Sequence, residues 1–126
     1  FARSSLDSVA QYAKLLEQVY IPAGEVLWEQ GDPAFNYLHL VHGRVRCTFD
    51  DGDFELKFGP PGMPGFFGTL ADLPRWHRAV TETPVVALKA DREILPDVLE
   101  DNTEMAKLFL AAIARRLLQI LELRDR

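Results

Sequence analysis

Only one cysteine, Cys47, stands in 126 residues. A single thiol cannot close an internal disulfide, and it cannot by itself ligate an iron–sulfur cluster. Its expected place is a strand residue facing a core. Histidine is scarce as well: His39, His42 and His77. His39 and His42 are three apart on what reads as a strand, so they are expected on opposite faces and not on one metal. No serine–histidine–acid or cysteine–histidine arrangement is legible, so the expectation is a protein that is not an enzyme and holds no metal. Basic residues are outnumbered, 14 against 19 acidic, for a net charge of −5. Such a balance excludes a nucleic-acid grip by this stretch itself, which needs a basic footprint. No unbroken apolar run reaches the roughly 20 residues of a bilayer crossing, and no signal-peptide pattern is present. A cytoplasmic location without membrane contact is expected. Internal repeats and low-complexity segments are absent too. The first residue is Phe1 rather than methionine, which reads as an excised or processed piece.

What is present is punctuation. Pro22–Ala23–Gly24, Gly31–Asp32–Pro33 and Gly43 break the chain between short extended runs. Proline fixes φ and glycine supplies positive φ, so these residues bound strands. Val26 and Trp28 alternate with Leu27 and Glu29; Tyr37, His39 and Val41 with Leu38, Leu40 and His42; Val45, Cys47 and Phe49 with Arg44, Arg46 and Thr48. Phe49–Phe54 carries Asp-Gly and reads as a hairpin turn rather than a calcium loop, with Phe54, Leu56 and Phe58 returning. Gly59–Gly68 is turn-dense and is expected to lack regular structure. Thr81–Ala90 reads as the last strand. Short strands so spaced predict an antiparallel sandwich or roll.

Helices flank this β region. Ser4–Val19 reads as the first, capped by Ser4 or Ser5, with Leu6, Val9, Ala10, Ala13 and Leu16 on one face and a stop before Pro22. Asp91–Leu99 reads as a short helix interrupted at Pro96. Asn102–Arg126 reads as a long one, with Leu110, Ile113, Leu117 and Ile120 forming a seam that Leu108 and Leu121 widen. A face that wide needs two things to pack on, and a second copy of the chain is one of them.

The order Pro22-Ala-Gly-Glu-Val26, then Gly31-Asp-Pro-Ala34, Tyr37-Leu38 and Gly43-Arg-Val45 resembles the opening strands of the cyclic-nucleotide-binding domain family. That family includes the sensor halves of Crp/Fnr-type regulators. The resemblance implies a mainly β fold with flanking helices: an antiparallel double-stranded β-roll, jelly-roll-like. Its expected layout is one domain over 1–126, with an N-terminal helix over 1–20, the roll over 21–91 and C-terminal helices over 92–126. It also implies a homodimer through the last helix. Any nucleic-acid contact would come through an attached domain, which in a Crp/Fnr-type regulator is a winged helix.

The family's phosphate cassette has the pattern Phe-Gly-Glu-Leu-Ala, then Pro-Arg-Ser/Thr-Ala. Phe67, Gly68, Leu70, Ala71, Pro74 and Arg75 match it. By that resemblance, backbone N–H groups at a helix start cradle the anion and Arg75 pairs with it. Two departures stand out. Thr69 occupies the glutamate's place, so no carboxylate meets the ribose hydroxyl, and the segment is about three residues shorter than the family's spacing. An unmet hydroxyl costs about 1–3 kcal/mol, a tenfold to hundredfold loss of affinity on the order of one to two decades. Trp76 and His77 stand where small or hydroxyl residues are usual and are expected to crowd a nucleotide. Arg75 and Arg78 remain able to hold an anion, or else to face solvent or pair with Asp72 or Glu82. Trp76 reads as a core or interface aromatic. His77 as an axial haem ligand is a minor reading. The expected function is a regulatory module, the effector domain of a Crp/Fnr-type transcription regulator with weak or no cAMP or cGMP binding. The alternative is a ligand-free dimerisation module attached to a transporter, channel or kinase. No cofactor is assigned; a cyclic nucleotide or another small anion is the ligand class left open.

Overall fold

The computed structural model describes residues 3–49, 55–101 and 103–124. It falls into two compact units, residues 16–93 and residues 1–15 with 94–126.

The first unit is the β-roll, built from β1 (Glu17–Ile21), β2 (Val26–Trp28), β3 (Asn36–His42), β4 (Val45–Thr48), β5 (Glu55–Phe58), β6 (Arg78–Thr81) and β7 (Val85–Asp91), with a short helix α2 (Phe66–Ala71). The strands make two antiparallel sheets, ordered β1-β7-β3 and β2-β6-β4-β5. The four-stranded sheet turns Val45, Cys47, Leu56, Ala79 and Thr81 inward, all buried. The other sheet contributes Leu38, Leu40, Val85 and Ala87 to the core. Cys47 is buried in the core, as its strand position predicted.

Turn chemistry holds the roll's corners. Gly24 has φ of 82° and donates its N–H to Thr81 O at 2.7 Å. The Thr81 hydroxyl donates to Pro22 O at 2.7 Å and accepts from Glu25 N–H at 2.9 Å. One buried threonine thus satisfies the first turn's polar groups, as burial requires. At the second turn, Asp32 accepts from Glu29 N–H at 3.0 Å.

Several boundaries differ from the sequence reading. The first helix, α1, spans Arg3–Ala13 and not Ser4–Val19. Glu17–Ile21 pairs with β7 as a strand, so the expected helix over 1–20 stops short. An edge of β7 otherwise lacking partners draws this segment into extended pairing, and tertiary pairing outweighs helix propensity. The expected strand Thr81–Ala90 is two strands joined through Pro84, and the chain crosses between sheets there. Proline has no N–H for a ladder. The turn-dense run Gly59–Gly68 is more ordered than expected: Gly62 O and Pro64 O accept from Leu40 and Leu38 N–H, and α2 begins within it. A bulge between Leu40 and His42 undoes strand alternation. His39 then faces Leu88 and His42 faces Val86, so the two imidazoles share one side of the sheet instead of opposite faces. The hairpin residues Asp50–Phe54 lie outside the described residues.

The second unit is helical: α1, α3 (Leu95–Asp101) and α4 (Thr103–Arg124), with a 3₁₀ turn at Arg92–Ile94 leading in. α1 and α3 both pack on α4. Tyr12, outside the predicted face, is buried and meets Phe109 edge-on with ring centroids 5.3 Å apart, whereas Val9 is exposed. Pro96 opens α3 and does not interrupt it, since a first-turn N–H has no helical partner to lose. Asn102, an expected cap, lies outside the described residues.

Candidate functional site

Arg75 is the centre of the cassette segment, and it points inward. Its backbone sits against the second turn: Arg75 N–H donates to Asp32 O at 2.7 Å and Gly31 N–H donates to Arg75 O at 2.6 Å. Its side chain is 4% exposed. Nη1 donates to Gly65 O at 2.8 Å and to Thr69 Oγ1 at 3.3 Å, and Nη2 donates to Asn36 O. The guanidinium carbon lies 3.9 Å from the centroid of the Trp28 ring, a cation–π contact. Nε is buried without a hydrogen-bond partner. Burial lowers the Arg75 pKa from its ordinary value to about 10, with Asp32 the main charge opposing that shift. The group therefore stays cationic at neutral pH.

Thr69 completes the cluster. It is fully buried on α2, and its hydroxyl lies 2.8 Å from the carbonyls of both Asn36 and Gly65. Its one proton goes to either carbonyl, and its lone pair meets Arg75. Threonine where the family has glutamate is thus a structural partner of the arginine. Gly65 makes the close approach possible. A Cβ there would sit 2.7 Å from Arg75 Nη1 and 2.8 Å from Trp28 Cη2, and φ of 87° also favours glycine.

His77 lies inside the roll rather than at its mouth, 4% exposed. Its Nδ1 accepts the Trp28 Nε1–H across 3.4 Å. Burial, with the Arg75 charge beside it, pushes the imidazole pKa from 6.5 down to about 4. The ring is therefore neutral at pH 7 and keeps a lone pair for the indole. The expectation that His77 crowds a ligand at the entrance gives way to a role in seating Trp28. Trp76 is the exposed neighbour, 51% accessible, with its edge toward Phe49.

The remaining cassette residues divide. Gly68 is buried, Phe67 half-buried, and Leu70 and Ala71 exposed. Arg78 is not brought to Arg75; it lies on the outer face of β6 and pairs with Glu29 at 3.0 Å. Of the expected alternatives, facing solvent holds for Arg78, whereas neither acid takes an arginine of the segment: Asp72 pairs with Arg92 at 2.6 Å, and Glu82 lies 3.6 Å from Lys57. The residues sequence reasoning missed are Trp28, Asn36 and Gly65. Gly65 was legible only as one turn glycine among several, and nothing local links Trp28 or Asn36 to Arg75. Trp28 and Asn36 also line a cavity of about 180 Å³ with Val19, Ile21, Leu27, Leu38 and Lys89. Among the described residues no three His, Cys, Asp or Glu side chains are grouped to hold a metal.

On α4, Leu110 and Leu117 of the expected seam are 65% and 50% exposed, whereas Ile113 and Ile120 are half-buried. Leu118 and Leu121 are exposed in their place. The open stripe is rotated from the expected one, because Leu110, Leu117 and Leu121 recur close to the helical period while Ile113 and Ile120 flank them.

The profile of the cyclic nucleotide-binding domain matches residues 18–102. The CRP-like cAMP-activated global transcriptional regulator of Mycobacterium tuberculosis is 30% identical over 114 residues, covering 87% of this chain and 51% of that protein. The chain thus spans about half the length of that relative. Acetyltransferase Pat of Mycolicibacterium smegmatis is 32% identical over 79 residues, covering 60% of the chain and 24% of that enzyme. Among solved structures, the Thermus thermophilus catabolite activator protein superposes with a TM-score of 0.78 at 24% identity, over 94% of this chain and 58% of that one. The N-terminal domain of a Streptomyces coelicolor transcriptional regulator gives 0.71 at 26% identity, over 90% and 84%. With the two-sheet roll, the cassette segment and these matches in agreement, the chain belongs to the cyclic nucleotide-binding domain family and is of the Crp/Fnr type.

Proposed function

We propose that this chain is the effector domain of a CRP-like transcription regulator, in which cAMP and cGMP bind weakly or not at all. The observation that carries this reading is the inward Arg75. Its terminal nitrogens are taken up by Gly65, Asn36 and Thr69, so a phosphate has to displace internal acceptors to reach it. Position 69 also offers a neutral hydroxyl where a ribose would be met by a carboxylate. Arg75 and its surrounding cassette residues remain the ligand site of this reading, for a small anion able to pull the guanidinium outward.

The domain acts without catalysing a reaction itself, in the cytoplasm, and reports through an attached domain that contacts nucleic acid. It dimerises through α4, whose exposed Leu110, Leu117, Leu118 and Leu121 form a stripe that a second copy of the helix would cover. Isothermal titration of the chain with cAMP and with cGMP tests the ligand half. The expected result is no saturable heat at micromolar concentrations; submicromolar affinity for either overturns it.

A second reading has its own support. A protein described as a potassium channel, from Rhodopseudomonas palustris, is 28% identical over 130 residues, covering 97% of this chain and 28% of that protein. On that reading the roll is a dimerising module of a channel, transporter or kinase. Dimerisation without any anion response would favour it.

A further inference from the structure

We infer that Trp28 is the positioning residue of the Arg75 site: its ring, seated by Gly65 and His77, latches the guanidinium against the Asn36 and Gly65 carbonyls, and an anionic ligand has to lift Arg75 off it. The inference rests on the sensory reading above and specifies how that site is regulated. Three independent features of the geometry converge on it. The indole lies under the guanidinium at 3.9 Å. Gly65 admits both groups at once, since a Cβ there would meet Nη1 at 2.7 Å and the Trp28 ring at 2.8 Å. The indole's own N–H is anchored on His77 Nδ1 at 3.4 Å, which holds the ring at its five-membered end.

The latched arrangement is satisfied except at one atom. Nε is buried and lacks a partner, so its N–H is left over for a ligand to recruit. Trp28 also borders the 180 Å³ cavity, which gives the ring room to shift when Arg75 leaves. A ligand competes with the latch, because internal contacts that hold the inward rotamer lower apparent affinity by the population they withhold. Removing the indole leaves the bonds to the two carbonyls and to the Thr69 hydroxyl to hold Arg75. The stacking contact is worth a factor of about two to thirty in that equilibrium.

Arginine Nε–Hε NMR correlations of the ¹⁵N-labelled chain, with the Arg75 peak assigned by its loss in Arg75→Lys, test the latch without any ligand. The expected Arg75 resonance is ring-current shifted and slow to exchange, and it returns toward the other arginines in Trp28→Leu. A resonance already indistinguishable from the exposed arginines overturns the inference. Titrating cAMP and sodium pyrophosphate against both proteins then reads the competition. Trp28→Leu is expected to bind about two- to thirtyfold tighter than the unaltered chain, with Trp28→Phe between them; equal or weaker binding by a folded Trp28→Leu overturns the inference. If Trp28→Leu does not fold, Trp28→Phe carries the same comparison. A shifted, protected Arg75 resonance with no probe bound by either protein supports the positioning role and overturns the sensory reading instead.

Discussion

The cassette segment and α4 break the usual inside–outside rule in opposite directions. In the roll a cation is buried: Arg75 is 4% exposed and surrounded by carbonyls, a hydroxyl and an indole. On α4 four leucines are half or more exposed. A buried charge is tolerated only where local acceptors meet it, and in the roll the chain supplies them. Exposed leucines carry no such local remedy; covering them takes something outside the described fold. One region is internally complete and the other is incomplete, so substitutions should act on stability in the first and on association in the second.

The largest expected effect comes from emptying the complete region. Arg75→Met keeps the length of the side chain but takes the guanidinium donors from the Asn36 and Gly65 carbonyls, which Thr69 then serves only in part, its hydroxyl having one proton for the two and its N–H reaching Gly65 O at 3.2 Å. The acceptor left unmet costs about 1–3 kcal/mol and the lost stacking on Trp28 about 0.5–2 kcal/mol, so urea unfolding should show a loss of about 2–5 kcal/mol with no ligand present. A change below 1 kcal/mol would mean that the guanidinium is not structural, on the order of an exposed site.

Acid should loosen the same region. His77 and His39 both have pKa values lowered to about 4, in each case by burial first. The unfolded chain takes up these protons near pH 6.5 while the folded chain resists until about pH 4. Stability is therefore full above pH 6.5, falls between 6.5 and 4, and levels off below as far as these groups are concerned. The His77 share is roughly 3 kcal/mol across that window. His77→Gln, which keeps an acceptor for Trp28, should flatten the pH dependence of the urea midpoint; an unchanged slope would show that His77 is not the titrating group.

In the incomplete region the readout changes. Leu117→Glu should leave the unfolding free energy of the monomer nearly untouched, since the side chain is half exposed. It should weaken self-association by about a hundredfold, or roughly 2.7 kcal/mol, measured by sedentation-velocity dilution series. A wild-type chain that is monomeric at every concentration would remove α4 as a dimer surface and leave the leucine stripe unexplained.

How much of this was legible follows the same division. Glycine and proline spacing gave β2 to β5 because turn residues act locally. It missed β1, since Glu17–Ile21 becomes a strand only through β7. It merged β6 with β7, because a sheet-to-sheet crossing at Pro84 is not a local property. The α4 stripe was readable apart from its rotation, helical period being written in the sequence. Arg75 and Thr69 were recognisable as cassette positions, but their inward direction was not. That direction depends on Trp28, Asn36 and Gly65, which the fold brings together from β2, β3 and the turn before α2.

The smallest effect sharpens the comparison most, because it concerns a second arginine in the same segment. Arg78 lies three residues beyond Arg75 and makes a 3.0 Å ion pair with Glu29, a length between the 2.8 Å and 3.3 Å that Arg75 Nη1 makes to Gly65 and Thr69. Distance alone would rank the two alike. Their surroundings separate them: the Arg78 and Glu29 side chains are 45% and 57% exposed, so water solvates either partner when the other is removed. Exposed pairs of this kind are worth about 0.2–1 kcal/mol and are screened by salt. Arg78→Ala should therefore shift the unfolding free energy by less than about 0.5 kcal/mol at physiological ionic strength, and the shift should shrink further in molar salt. A loss comparable to that of Arg75→Met would show that the segment acts as one charged cluster. Burial would then no longer explain why one arginine holds the roll together and the other only decorates it.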